Sequence, residues 1–124
     1  MNWMPFFLAV ALLAGCASPA QIEKQAVAGR FESKLSAKRL AGCIDTNGEN
    51  LLWAGAFRSK TRDVGDEPIV VVVEEVGNKY VAAVVHVFTR DTGSLAEFRF
   101  GGAVEFDEKI WPGKWKDRLV AGCA

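Results

Sequence analysis

The chain has 124 residues, with 15 Lys and Arg balanced by 15 Asp and Glu, and half of its residues are hydrophobic. That suffices for one small domain with its own core. The even charge leaves no basic footprint for nucleic acid, and a single histidine with three cysteines leaves few metal ligands.

The N-terminal stretch reads MNWMPFFLAVALLAGCAS, and Phe6 to Leu13 is unbroken apolar sequence. The run is far short of the roughly 20 residues of a membrane-spanning helix. It matches the apolar region of an export signal. Leu13-Ala14-Gly15-Cys16 follows at once and resembles the lipobox of bacterial lipoproteins. The resemblance implies that residues 1–15 are a signal peptide removed in maturation. It also implies that Cys16 is the lipid attachment site, acylated on its thiol and usually on its new amino group. Two or three acyl chains anchor firmly where one is marginal. Residue 17 is Ala, not the Asp that favours inner-membrane retention in enteric bacteria. The resemblance therefore implies an outer-membrane protein facing the periplasm, with the cell surface as the alternative.

Residues 16–32 are small and polar, include Pro19 and Gly29, and read as a tether. Ile22, Ala26 and Val27 have loose helical spacing within it. Residues 33–124 then form one α+β domain. SKLSAKRLAGCI (33–44) reads as a short helix with Leu40, Cys43 and Ile44 on one face. DTNGEN (45–50) reads as its break, because Asn-Gly is turn chemistry.

Four strands are expected next. LLWAGAF (51–57) is the first, followed by the polar loop RSKTRDVGDEP (58–68). IVVVVEEV (69–76) is the clearest, since β-branched runs favour extended backbone. Gly77-Asn78 fits a two-residue hairpin turn into KYVAAVVHVF (79–88), a register that sets Val76 opposite Lys79 and Glu74 opposite Val81. LAEFRF (95–100) alternates, with Leu95, Glu97 and Arg99 on one face and Ala96, Phe98 and Phe100 on the other. Gly101-Gly102 is expected to bend this strand into AVEF. PGKWKDRLVAGCA (112–124) reads as a closing helix, with Pro112 in its first turn and Trp115, Leu119 and Cys123 in one stripe.

The expected fold is a four-stranded antiparallel meander with an N-terminal and a C-terminal helix packed on one face. The central strands are apolar on both faces. The second face therefore needs a cover: sheet curvature, the tether, or a protein partner.

With Cys16 acylated, Cys43 and Cys123 remain. An exported protein lives where disulfides persist, and an even count suits a bridge between the two helix ends. Two free thiols and a metal site are the alternatives. The metal site is poorly served, because there is no C-x-x-C spacing.

Catalytic patterns are sparse, and no catalytic residue is assigned. His86 sits mid-strand without a G-x-S-x-G or a free cysteine nearby and reads as a half-buried structural histidine. Glu74 and Glu75, adjacent on a strand, point to opposite faces. Asp107-Glu108 reads as a loop pair doing helix-start chemistry rather than acid/base work. Gly48 is fourth in DTNGEN, where a calcium loop of the EF-hand kind needs it sixth. KIWPGKWKDR (109–118) has two readings. Its tryptophans and cations could seat in a layer of anionic headgroups, or Trp115 could pack on the sheet with the charges on its wet side.

The layout resembles that of small, little-characterised envelope lipoproteins of Gram-negative bacteria. These carry a lipobox, a helix bearing GCI, a β-meander and a C-terminal helix ending in cysteine. The resemblance implies no activity. The expectation is a non-enzymatic, lipid-anchored binding or envelope-assembly module that needs no cofactor. It would touch the membrane through its lipid and a protein through an apolar sheet face. The first alternative is an exported inhibitor of a cell-wall enzyme, resembling the lysozyme-inhibitor lipoproteins and using the segment SKTRDVGDEP (59–68). The second is a small hydrolase centred on His86 or Glu75.

Overall fold

In the computed structural model, which describes residues 18–51, 56–77 and 80–124, the chain enters on a capped turn of helix, α1 (Pro19–Glu23). The Ser18 hydroxyl accepts from Gln21 N at 3.3 Å, and the Gln21 side chain accepts from Ser18 N at 2.8 Å. Pro19 sits at the first helical position, where its missing N–H costs nothing. The stretch read as signal peptide and lipobox, with Cys16, lies outside the described residues.

Strand β1 (Gly29–Ser33) leads to helix α2 (Ala37–Glu49). Ser36 caps α2 by accepting from Arg39 N at 3.2 Å. Strands β2 (Phe57–Arg62), β3 (Ile69–Glu75), β4 (Val81–Arg90) and β5 (Gly93–Phe100) follow, then helices α3 (Gly102–Ile110) and α4 (Lys114–Leu119). The sheet order is β1-β5-β4-β3-β2, antiparallel throughout. A meander from β2 to β5 is thus extended by β1 along the far side of β5.

The α+β class and the antiparallel meander agree with the sequence reading, but the sheet has five strands, not four. The fifth, β1, is drawn mostly from the segment read as tether. Its Phe31 faces the core and pairs with Ala96, while Arg30 and Glu32 face outward. The strand expected at 51–57 lies partly outside the described residues. The observed β2 starts at Phe57 and runs through the stretch read as polar loop. Phe57 and Ser59 are buried while Arg58, Lys60 and Arg62 are exposed. Charged side chains on a sheet edge block pairing with other chains, and they also dilute the apolar signal of a strand.

Helix α2 does not stop at Asp45. It carries Asn47-Gly48 inside its last turn because Gly48 serves close packing there, not a turn. A Cβ on Gly48 would stand 2.9 Å from Ser59 Oγ and 3.0 Å from Val73 Cγ2. Nor does β5 bend into AVEF. Gly101 closes it by donating to Ala82 O at 2.9 Å, so tightly that a Cβ would lie 2.0 Å from Val81 O, and α3 begins immediately. The closing helix expected at 112–124 is shorter, since α4 begins after Pro112 and ends at Leu119, before Cys123, and a separate helix, α3, precedes it.

Helices α2, α3 and α4 cover one face of the sheet. Leu40, Ile44 and Leu119 pack there against Val71, Val73, Val85, Phe98 and Phe100. The other face carries a second, smaller cluster in which Ile22 of α1 meets Val70, Val81 and Val84. Ile22 is only 1% exposed, and burying such a side chain contributes about 1.5–3 kcal/mol. The second apolar face is therefore covered at least in part by the segment read as tether. The two helices expected on one face, α2 and α4, do share it, and the additional helix α1 lies on the other.

The β3–β4 hairpin has the expected pairing of Glu74 with Val81, reached across an irregularity between Val73 and Glu74. The Val76–Lys79 pair falls on Lys79, outside the described residues. Along β5, Ala96, Phe98 and Phe100 are buried on one face as expected. Cys43 and Cys123 form a disulfide with Cα atoms 5.8 Å apart. The bridge fastens the C-terminal tail to α2.

Candidate functional site

Two places gather chemistry, one on each face of the sheet. On the α1 face, His86 Nε2 lies 3.3 Å from Glu23 Oε1, and Arg99 Nη1 lies 3.0 Å from His86 Nδ1. A guanidinium can only donate, so Nδ1 accepts and Nε2 carries the proton toward Glu23. Arg99 Nε also donates to the Gln25 carbonyl at 2.8 Å, and Arg62 stands 3.7 Å from Glu23. Both imidazole nitrogens are thus engaged in pinning α1 and its exit to β4 and β5. General-base work needs a free lone pair near a nucleophile. Here that lone pair is held by Arg99.

Glu74 and Glu75 point to opposite faces, as adjacent strand residues must. Glu74 faces Lys60 at 3.6 Å on the α1 face. Glu75 lines a cleft on the other face. The structure does not bring His86 and Glu75 together.

That cleft, of about 570 Å³, lies between α3 and the end of the sheet, with Phe57, Tyr80, Val104, Phe106 and Trp115 in its walls. Its shape is set by hydrogen bonds from α3. Ala103 N donates to the Tyr80 hydroxyl at 2.6 Å. Trp115 Nε1 and Lys114 Nζ donate to Asp107 Oδ2 at 2.8 and 2.9 Å. These two bonds, Lys114 first and Trp115 second, hold the Asp107 carboxyl below its ordinary value of 3.8. Glu108 accepts from the N–H groups of Gly113, Trp115 and Lys116, satisfying donors that a helix start leaves unpaired. The pair lies within α3 and not in a loop as expected, but Glu108 does act at a helix start, that of α4. Trp115 is buried edge-on against Phe57, with ring centroids 5.8 Å apart.

Of the two readings of KIWPGKWKDR, the packing of Trp115 onto the fold is the one observed. Trp115 packs inward. Trp111 is 62% exposed, and beside it Ile110 and Phe106, one helical turn apart, are 52% and 67% exposed. Sequence reasoning missed Phe106 because AVEF reads as strand. The four-residue spacing from Phe106 to Ile110 was the available signal. Exposed apolar residues contiguous along one helix differ from the scattered ones any surface carries.

Among the described residues no group of His, Cys, Asp and Glu could hold a metal ion, and no helix is long and apolar enough to cross a membrane. Comparison with protein-family models, with curated proteins and with solved structures finds no match to this chain.

Proposed function

We propose that the protein is a lipid-anchored module of the bacterial outer membrane that binds a partner and transforms no substrate. The observation that carries the binding part is the ridge of Phe106, Ile110 and Trp111 beside the aromatic cleft. A folded domain gains nothing by leaving such a surface in water unless something docks there. The lipobox at Leu13–Cys16 supports the anchor. The Cys43–Cys123 bridge supports an oxidising compartment such as the periplasm. The engagement of both His86 nitrogens favours binding over hydrolysis.

Two measurements test this. Mass spectrometry of protein purified from native membranes should find a chain beginning at Cys16 with added acyl mass, gaining about 2 Da on reduction of one disulfide. A photo-crosslinking residue in place of Phe106 should give adducts in intact envelopes. An unprocessed chain with free thiols sinks the export reading, and a residue 106 that labels only with solvent sinks the binding reading.

The inhibitor reading keeps one specific observation. Residues 63–68 connect β2 to β3 and present Val64 at 73% exposure, a side chain able to enter an enzyme cleft. Inhibition of lysozyme by the wild type and its loss in Val64→Asp would favour it.

A further inference from the structure

We infer that the partner of the ridge is the membrane itself: the domain lies directly on the lipid surface, with Phe106, Ile110 and Trp111 seated in the headgroup layer. This rests on the lipid-anchor reading and adds what the fold does with the anchor.

Cys16 is two residues before Ser18, and Ser18 is already the cap of α1, packed on the sheet. Extended backbone covers at most about 3.6 Å per residue, so an acylated Cys16 reaches only about 7 Å beyond Ser18. That is within the 5–10 Å over which apolar side chains enter the boundary between headgroups and acyl chains. A lipid at Cys16 thus gives the domain no stand-off, and the end of the fold next to Ser18 must meet the bilayer.

The ridge is at that end. Pro19 lines a groove along β2 and β3 together with Lys60, Arg62, Val70, Val72 and Glu74. Glu75, the next residue of β3, lines the cleft together with Phe106. Through Glu74 and Glu75 the end of β3 thus borders the groove of α1 on one face and the cleft of the ridge on the other. Val76, just beyond β3, is 43% exposed between them.

The side chains suit the layer. Tryptophan and phenylalanine present broad apolar faces, and Trp is enriched where water gives way to acyl chains. Two of the four cations of the segment are matched, Lys109 by Glu105 at 3.8 Å and Lys114 by Asp107 at 2.9 Å. Seating should therefore be carried mainly by apolar area and should survive in zwitterionic lipid and at high salt.

The test uses the full-length protein, matured in a Gram-negative envelope, its acylation checked by mass. It is reconstituted in zwitterionic phosphatidylcholine vesicles containing lipid brominated along its acyl chains. Tryptophan emission is compared between the wild type and Trp111→Phe, with circular dichroism confirming that the variant folds. The expected result is strong quenching in the wild type, unchanged in high salt and mostly lost in Trp111→Phe. Acylated protein with unquenched emission overturns the inference while leaving the anchor intact, and would turn the ridge over to a protein partner or a second copy. Quenching that is equal in both proteins overturns the placement at Trp111. A Cys16 without acyl mass removes the anchor reading and this inference with it.

Discussion

Breaking the Cys43–Cys123 bridge should cost this domain about 4 kcal/mol. The two cysteines are separated by 80 positions, and the chain between them includes every strand except β1. Closing a loop of that length in the unfolded chain removes roughly 15 cal/mol/K of entropy, or about 4.5 kcal/mol at 25 °C. The native state should survive the loss, because the tail has other fastenings. Ser33 Oγ donates to the Cys123 carbonyl at 2.6 Å, and Asn47 Nδ2 donates to Leu119 O and Ala121 O at 2.8 and 3.0 Å. The perturbation is Cys43→Ala with Cys123→Ala, run beside wild type in reductant. Urea unfolding followed by circular dichroism should show the midpoint falling by roughly 2 M in both, given a slope of about 2 kcal/mol/M. The slope itself should rise, since an uncrosslinked unfolded chain exposes more surface. A loss under about 1 kcal/mol with an unchanged slope would refute the argument that the bridge works by constraining the unfolded chain.

Three further outcomes are expected. Asn47→Ala strips two carbonyls near the end of α4 of their donor and should cost about 1–3 kcal/mol in the same unfolding assay, with faster hydrogen exchange in the C-terminal tail. Gly48→Ala improves helix propensity yet drives a methyl into Ser59 and Val73; overpacking of about 1–3 kcal/mol should outweigh a gain of about 1 kcal/mol, so thermal melting should find the variant no more stable than wild type. The Asp107 carboxyl is lowered in the folded state, first by its bond from Lys114 and then by that from Trp115. Its contribution to stability is therefore complete above the ordinary aspartate value and disappears as pH falls through the lower folded one. Asp107→Asn should flatten that part of the stability curve when unfolding is followed from neutral pH into acid.

The readable parts of this fold carry their signal within a few residues. The β-branched run from Ile69 to Val73 and the alternation from Leu95 to Phe100 are properties of single strands, and the register of Glu74 with Val81 follows from a short hairpin. The cysteine pairing came from compartment and count. The unreadable parts depend on what lies across the fold. Strands β1 and β2 are edge strands with one wet face, so Arg58, Lys60 and Arg62 hide the strand that Phe57 and Ser59 anchor. Asn47-Gly48 has the local chemistry of a turn. It is nonetheless helical, and glycine serves there because Ser59 and Val73 leave no room for a side chain at 48.

The sequence by itself determined the central hairpin and the residues able to bridge, and it carries the resemblance to an export signal, because each rests on local composition or a fixed spacing. Only the tertiary structure decided that residues 18–33 belong to the fold. It also engaged both nitrogens of His86, and it turned Trp115 inward while leaving Phe106, Ile110 and Trp111 outside. Those outcomes are settled by burial and by contacts between distant segments, such as Ile22 with Val84 and Trp115 with Phe57, and no local pattern encodes them.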